Sequence, residues 1–375
     1  MRWDRHITID GERFIEEEFL ARNFDRYTIN EIAALLGRSD EMLRGKIRRL
    51  GLCAKDFKQP EFCLELSPLE DRLLKSISKG TVTVGQLSGV LDRSENTVLT
   101  LVKGLRNKGY EINLEEDKVS IPRILIPTGN EIDLTQYYGD SIKLALYSCT
   151  HFGNRWQQPT NLHAFYQICE EQKVDAFIHH GDGVDGTKIY GGQEQEQFAI
   201  GLDEQEELWV GLQPKSDVTQ YVGGGNHDYS WIRHAGANVV RRVCAKREDL
   251  IYTGMQDAKF LVGDKILYKF LHFRGGTSYA LSYRIQRLNE ALGREEDNPQ
   301  IFGIGGQHVA ALLPDYLGIT SLMTGCFEGR TPYLQGKGLY PDIGGWVLEI
   351  WLKDSGELAR VRSEFISFEE IENDY

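Results

Sequence analysis

The sequence predicts an α/β domain preceded by small helical modules, and three of its features support that prediction. Between residues 140 and 375, apolar runs of strand length alternate with helical segments, which indicates an α/β sheet. Residues 1–125 instead show two successive helix-turn-helix patterns. The two parts also differ in charge. The first holds as many Lys and Arg as Asp and Glu, so the net charge of -13 lies in the remainder.

The first helix-turn-helix pattern spans residues 27–52, within a module predicted for residues 1–58. Gly37 separates two segments that each carry one apolar face, and Ser39 can cap the second of them. The outward side of that second helix is basic and consists of Arg44, Lys46, Arg48 and Arg49. The layout resembles Myb-like or resolvase-like three-helix modules. That resemblance implies nucleic acid as a partner, with DNA favoured over RNA.

A second module is predicted for residues 67–124. An amphipathic helix with Leu73 and Ile77 inward is followed by a short helix from about Val84 and by a third helix capped by Ser94. The alternating segment after it predicts a hairpin with its turn near residues 116–117. Helices followed by a hairpin resemble bacterial repressor-type winged helices. Because the charge of this part is balanced, docking or dimerisation is an alternative role for both modules.

Composition narrows the class of protein. No apolar run approaches the length of a membrane span, and the first residues show no apolar segment of a secretory signal. The six cysteines form no CxxC pair and no disulfide framework. We therefore expect a cytoplasmic protein with free thiols and no membrane partner. Its acidic C-terminal part should repel nucleic acid unless metal ions or local basic patches intervene.

Three apolar segments of the predicted α/β domain each end in a polar loop. They are IKLALYS from Ile142, VDAFIHH from Val174 and VTQYVGG from Val218, and a helix is predicted from about Asn161. Ligands of such sheets collect at the carboxyl ends of the strands. The polar loops should therefore meet at one edge. Near the C-terminus, GGWVLEIWLKD and RVRSEFISFEE are expected to pair as strands.

The loops carry an ordered set of motifs. It runs from Cys149–His151 (CTH) through Gly181–Asp182 and Gly225–Asp228 (GNHD) to the lone His272 and Gly305–His308 (GGQH). The set resembles the calcineurin-like metallophosphoesterase superfamily, and in particular its double-strand-break repair nucleases. The resemblance implies a four-layer α/β/β/α sandwich over residues 140–375, with a second sheet that the C-terminal strands help to build. Two positions depart from the pattern: Cys149 stands where the family has Asp, and Gly306 where it has His.

The resemblance also implies two divalent metal ions, Mn, Fe or Zn, which together activate water and clamp a phosphoryl group. The implied ligands of the first are Cys149, His151, Asp182 and His308; those of the second are Asp182, Asn226 and His272. His227 is the implied general acid, held by Asp228. Arg274 and Arg330 are the expected phosphate-binding residues.

The departures predict an asymmetric site. A thiolate at Cys149 can still bind a metal and favours Zn²⁺ or Fe. Glycine offers no side-chain ligand, so Gly306 predicts weak binding of the second metal and possible loss of activity. The main hypothesis is a phosphodiesterase that acts on nucleic acid held by the N-terminal modules. The alternatives are a small-molecule phosphatase, a cyclic-nucleotide phosphodiesterase, and a DNA-binding adaptor whose site has decayed.

Overall fold

The computed structural model describes residues 6–9, 12–15, 36, 66–122, 130–274, 280–292 and 298–375. The chain divides into two units, Met1–Cys63 and Leu64–Tyr375. In the first unit, β1 (His6–Ile9) pairs with β2 (Glu12–Ile15) as an antiparallel hairpin. The predicted basic helix, with Arg44, Lys46, Arg48 and Arg49, lies outside the described residues.

The second unit begins with a small module of three helices and three short strands. Its elements are α1 (Pro68–Ile77), β3 (Val82–Thr83), α2 (Val84–Leu91), α3 (Glu95–Asn107), β4 (Asn113–Glu115) and β5 (Lys118–Ser120). Ser67, Thr83 and Ser94 cap the three helices, and each side chain accepts the backbone N–H of the third helical residue. The strands form one sheet in the order β3-β5-β4. The interpretation of these elements as a winged helix stays a prediction.

Two six-stranded sheets form the rest of this unit. The first has the order β10-β9-β8-β7-β16-β17 and the second the order β14-β15-β13-β12-β11-β6. The strands are β6 (Asn130–Asp133), β7 (Ile142–Tyr147), β8 (Ala176–His179), β9 (Gln220–Gly224), β10 (Leu250–Met255), β11 (Asp257–Val262), β12 (Lys265–His272), β13 (Ile301–Gly305), β14 (Ala310–Tyr316), β15 (Ile319–Thr324), β16 (Gly344–Leu352) and β17 (Leu358–Ser367). The helices are α4 (Pro159–Glu171), α5 (Gln193–Glu196), α6 (Leu202–Leu212), α7 (Asn226–Ala235), α8 (Val239–Ala245), α9 (Leu281–Leu292) and α10 (Pro332–Gly336).

Strand β7 shows why these segments build layers. Successive side chains of a strand point to opposite faces. Ala145 and Tyr147 accordingly join the core under the helices, whereas Leu144 and Leu146 join the core between the two sheets. A third core packs α9 on the outer face of the second sheet. Burying each large apolar side chain is worth roughly 1.5–3 kcal/mol. The layers run helix, sheet, sheet, helix, so the predicted α/β/β/α sandwich is confirmed.

The C-terminal strands pair as expected but lie in a different sheet from the one the resemblance implied. β16 and β17 are antiparallel neighbours, and β16 also pairs with β7. Both strands therefore extend the first sheet, and the expectation that they build the second sheet is wrong. The physical reason lies in β16, whose Trp346, Leu348 and Ile350 belong to the core between the sheets when β16 lies beside β7.

The small module packs directly on α7 and α8. Ala237, in the turn between those helices, is part of the module's apolar core. The Glu111 amide donates to the Gly236 carbonyl at 2.7 Å, and the Asn238 amide donates to the Gly109 carbonyl at 2.8 Å. Buried Arg242 of α8 reaches both the module's Tyr110 hydroxyl, at 3.4 Å, and Glu206, at 2.6 Å. Backbone and buried polar contacts therefore fix the module to the end of α7.

Candidate metal centre and active site

The loops after β7, β8, β9, β12 and β13 bring the predicted site residues together at one edge of the two sheets. Four of the expected ligands have a left-handed backbone: φ is 56° at Cys149, 45° at His151, 58° at Asp182 and 55° at His308. This conformation costs a residue with a side chain roughly 1–2 kcal/mol. Strained residues that cluster in this way are typical of functional sites.

Asp228 holds these loops in place. Its carboxylate accepts backbone N–H groups from Gly225 at 2.7 Å, Asp182 at 2.8 Å, Gly183 at 3.0 Å and Val184 at 3.0 Å. The expectation that Asp228 holds His227 is therefore wrong, because both carboxylate oxygens are used by the backbone of the Asp182 loop and of the start of α7. Asp228 therefore shapes the loops of the site, and its described hydrogen bonds go to backbone N–H groups and not to the His227 ring.

The first half of the site centres on two imidazoles. The Nε2 atoms of His151 and His308 lie 3.2 Å apart, so both point at one place. On the other side of the rings, His151 Nδ1 lies 3.4 Å from Asp185 Oδ1 and His308 Nδ1 lies 3.4 Å from Glu328 Oε2. Burial lowers the pKa of both histidines, which favours the neutral form that binds metal.

Cys149 lies between the two halves. Its Sγ is within 4.8 Å of ligand atoms of His151 and His308, and equally of ligand atoms of Asp182 and His272. The side chain is fully buried. Burial, together with the Asp182 carboxylate, raises the pKa of this thiol well above its ordinary value. A cation would act in the opposite direction, since a coordinated thiol is deprotonated.

The second half pairs Asp182 with His272, the last residue of β12. Asp182 Oδ2 lies 2.9 Å from His272 Nε2, and His272 Nδ1 lies 2.8 Å from the His180 carbonyl. The carbonyl can only accept, so Nδ1 carries the proton and Nε2 faces Asp182. Burial alone would lower the pKa of His272, but Asp182 and the His180 carbonyl raise it overall. Asn226, the first residue of α7, lines the same cavity.

Gly306 is closely surrounded in this chain. Its φ is +84°, and a Cβ built at this position would come within 2.8 Å of both His272 Nε2 and the Phe273 carbonyl oxygen. The position therefore contributes no ligand, and its neighbours leave little room for a side chain. This agrees with a second half that has fewer ligands than the first.

His227 occupies the N-terminal turn of α7, next to both halves. Its backbone N–H donates to Asp182 Oδ1 at 2.8 Å, and its Nδ1 lies 2.6 Å from the Asp185 carbonyl oxygen. The Asp185 carboxylate lies 3.7 Å from the same Nδ1. Because the carbonyl can only accept, Nδ1 carries a proton and Nε2 is the nitrogen left to face a substrate.

An open cavity of about 560 Å³ lies over these residues. Cationic side chains on its wall are Arg233, Arg274 and Lys337. Arg274 is exposed and lies over the Tyr229 ring, 5.6 Å from its centroid. Arg330 is not part of this wall. Its Nε donates to the Leu339 carbonyl at 2.8 Å, and its guanidinium stacks on Tyr340.

These residues fit divalent cations. The buried His272 Nε2 lies 2.9 Å from an Asp182 oxygen, but it has no hydrogen-bond partner within the described part of the chain. Such an atom needs an explanation in a folded protein, and an ion is one of the usual ones. Buried carboxylates of Asp182, Asp185 and Glu328 add negative charge that cations would balance. Imidazole, carboxylate, amide and thiolate ligands suit Mn²⁺, Fe and Zn²⁺.

Sequence reasoning missed three residues of this site. Asp185 follows Asp182 by three residues in the same loop, GDGVDG, and that proximity was an available signal. Arg233 lies on α7 about two helical turns beyond Asn226, a spacing that places both on one face. Glu328 is in the CFEG segment, where nothing in the sequence distinguishes it from a surface carboxylate. Its importance depends on tertiary packing.

Comparison with known families supports the same class of protein. Residues 142–317 match the model of the calcineurin-like phosphoesterase family. The chain thus contains a calcineurin-like phosphoesterase domain at residues 142–317, and this match supports a metal-dependent hydrolase of phosphoester bonds. A search of curated proteins gave no significant match. Within the described residues, none of the helices combines the length and apolarity needed to cross a bilayer.

Solved structures show a weaker likeness. A Thermotoga maritima protein solved by NMR has a TM-score of 0.27 and 14% identity, and covers 60% of this chain and 99% of its own. A 5'-nucleotidase precursor from Thermus thermophilus has a TM-score of 0.28 and 12% identity, and the match covers 60% of this chain and 54% of the precursor. The protein TT1561, also from Thermus thermophilus, has a TM-score of 0.33 and 8% identity, and the match covers 60% of this chain and 99% of TT1561. At these values the likeness carries no argument about function.

Proposed function

We propose that the chain is a phosphodiesterase that cleaves nucleic acid, with two metal ions at the site described above. The observation that supports the reaction best is the position of His227. The residue donates its backbone N–H to Asp182, its ring centroid lies 4.4 Å from that of His151, and it lines the cavity over the site. A proton donor beside a two-cation site is what phosphoester cleavage requires.

The proposed ligands divide between the two ions. Cys149, His151, Asp182 and His308 would hold the first, and Asp182, Asn226 and His272 the second. When bound, the ions supply a water nucleophile that is active at neutral pH and stabilise charge on the phosphoryl oxygens.

The chain's own residues supply the proton and the orientation. His227 keeps its Nδ1 proton on the Asp185 carbonyl, so the ring is fixed. A second proton, taken up from water on Nε2, would pass to the leaving oxygen and return the ring to its neutral form. Asp185 itself is fixed by Asn154, Gln193 and Gln197, whose amide groups donate to its carboxylate at 2.6–3.1 Å. Arg233, Arg274 and Lys337 line the cavity and would orient the phosphate through charge-assisted hydrogen bonds.

The proposal of a nucleic-acid substrate rests on the small module. Helix α3 exposes Asn96, Thr100 and Lys103 on one side, and these side-chain types are suited to base edges and phosphates. The module is docked on α7, the helix that begins with Asn226 and His227. Nucleic acid bound to α3 would therefore have a fixed relation to the proton donor.

A small-molecule phosphodiester or phosphomonoester is the second candidate. A cavity of about 560 Å³ lies within the size range typical of small-ligand sites. The acidic balance of the C-terminal part also disfavours a polyanionic substrate. In this case the modules would serve docking or dimerisation.

The test compares DNA binding and hydrolysis in one preparation of the full-length chain. Fluorescent single- and double-stranded DNA and bis(p-nitrophenyl) phosphate are incubated with Mn²⁺ at several salt concentrations. A nuclease should cleave DNA, and its binding should weaken as salt rises because counterions are released. Lys103→Ala should weaken binding, whereas Lys75→Ala, an exposed lysine on α1 paired with Asp71, should not.

Three other results would each point to a different function. Hydrolysis of the small ester without DNA binding would favour the small-molecule enzyme. DNA binding without hydrolysis under any metal would favour an adaptor with a decayed site. Absence of both activities would contradict the proposal.

A further inference from the structure

Glu328 is a buried carboxylate that the proposed reaction does not use. Only 4% of its surface is exposed. Its loop is tied to the site by backbone hydrogen bonds: the Phe327 amide donates to the Cys149 carbonyl at 3.0 Å, and the Gly329 amide to the Trp156 carbonyl at 2.7 Å. The position of this carboxylate is therefore fixed by the same loop that carries Cys149.

The two oxygens of Glu328 face two different imidazoles. Oε2 lies 3.4 Å from His308 Nδ1, and Oε1 lies 4.0 Å from His151 Nδ1. These are the nitrogens on the far side of each ring from Nε2, and the two Nε2 atoms are 3.2 Å apart. The carboxylate thus lies on the Nδ1 side of both rings, and the point where the two Nε2 atoms meet lies on the opposite side.

The protonation of an imidazole explains why this arrangement matters. A histidine that binds metal through Nε2 must leave that nitrogen unprotonated, so its proton resides on Nδ1. A carboxylate that accepts from Nδ1 fixes this tautomer, fixes the ring orientation and strengthens the ligand. His151 has a second carboxylate nearby, Asp185, at 3.4 Å. Among the described residues, Glu328 is the one carboxylate within ion-pair distance of His308.

We propose that Glu328 is a positioning residue for the first metal site. Its oxygens lie 3.4 Å from His308 Nδ1 and 4.0 Å from His151 Nδ1, so the carboxylate favours a proton on these nitrogens and leaves each Nε2 free to bind an ion at the shared point. The proposal rests on the metal site of the proposed function. It adds a residue outside the motif set and assigns it to one half of the site, since His272 in the other half is oriented by the His180 carbonyl.

A test measures Co²⁺ binding to metal-free full-length protein, following both the heat of binding and the visible d–d absorption. Glu328→Gln keeps the size of the side chain but can accept from only one of the two Nδ1–H groups. It should weaken the first Co²⁺ by about 10- to 100-fold, the usual effect of losing such a partner. The weaker second binding event should be unchanged. Glu328→Asp keeps the carboxylate and should lose less affinity than Glu328→Gln.

Glu196→Gln is the matched control. Glu196 is also buried, and it accepts from the Tyr190 hydroxyl and the Tyr333 amide rather than from a histidine. This variant should bind both Co²⁺ ions as the wild type does. Circular dichroism of each variant confirms that it is folded, and Glu328→Asp keeps the test valid should the glutamine variant fail to fold.

Three results would overturn the proposal. The first is Glu328→Gln binding the first Co²⁺ as tightly as wild type. The second is an equal loss in Glu196→Gln, which would indicate a general effect of negative charge. The third is loss of the second event alone. If wild type bound no Co²⁺, the proposed function would fail together with this inference.

Discussion

The two halves of the site differ in how their histidines are supported. In the first half, His151 and His308 converge through Nε2 and have carboxylates of Asp185 and Glu328 behind them. In the second half, His272 is alone, oriented by a backbone carbonyl, and Gly306 stands where the resemblance implies another histidine. A carboxylate behind an imidazole strengthens it as a ligand more than a neutral carbonyl does.

This difference shows that departures from the family's ligand pattern can affect the two metal sites to different extents. Where the family pattern has a carboxylate, the first half has the thiol of Cys149, which can still coordinate. In the second half, Gly306 offers no side chain, and the additional potential ligand grouped with Asp182 and His272 among the described residues is Cys149, which lies equally close to the first half. We therefore expect one strong and one weak metal site that share Asp182.

The largest expected effect is on turnover, when the proposed proton donor His227 is replaced and both metal sites are kept. His227→Ala should lower turnover by about 10²–10⁴-fold, the usual worth of a general acid. Its backbone contact with Asp182 remains, so both metals should still bind. Steady-state kinetics on bis(p-nitrophenyl) phosphate and metal analysis of the same sample measure the two quantities. His163→Ala, outside the cavity, is the control; unaltered turnover in His227→Ala would refute the assigned role.

The next largest effect is expected when Cys149, the unusual ligand proposed for the first half, is replaced. Cys149→Asp replaces a soft thiolate with a hard carboxylate, so the metal preference should move from Zn²⁺ towards Mn²⁺. We expect a change on the order of tenfold in the ratio of the two affinities. Competition titrations with Zn²⁺ and Mn²⁺ measure it. An unchanged ratio would show that Cys149 packs in the site without binding metal.

The smallest effect concerns the packing around Gly306. Gly306→Ala must hold a left-handed backbone and place Cβ 2.8 Å from His272 Nε2, so we expect a loss of about 1–3 kcal/mol in unfolding free energy. Thermal unfolding of metal-free protein should show this as a Tm lower by a few degrees. Gly211→Ala lies in α6 with no atom near the added Cβ, and it should be neutral or stabilising. Equal Tm values for both variants would contradict the packing described here.

The sequence predicted the strands and the ordered motifs well because both depend on local patterns. The alternation in β7 and the position of His272 at a strand end follow from residue order alone. The partner of a side chain does not. The resemblance implies that Asp228 holds His227, yet the Asp228 carboxylate accepts from the Asp182 loop. Glu328 reaches His308 only through the fold, and Arg330 is held by Leu339 outside the cavity wall.

The most direct test of the asymmetric site is a titration of metal-free wild-type protein with Mn²⁺ and, separately, with Zn²⁺, followed by calorimetry and by metal analysis after gel filtration. The first half has two supported histidines and a thiol, whereas the second lacks a ligand at Gly306. We therefore predict about one equivalent that survives gel filtration and a second that binds only with excess metal. Two equivalents held with equal affinity, or one whose retention is lost in His272→Ala but not in His308→Ala, would contradict the account.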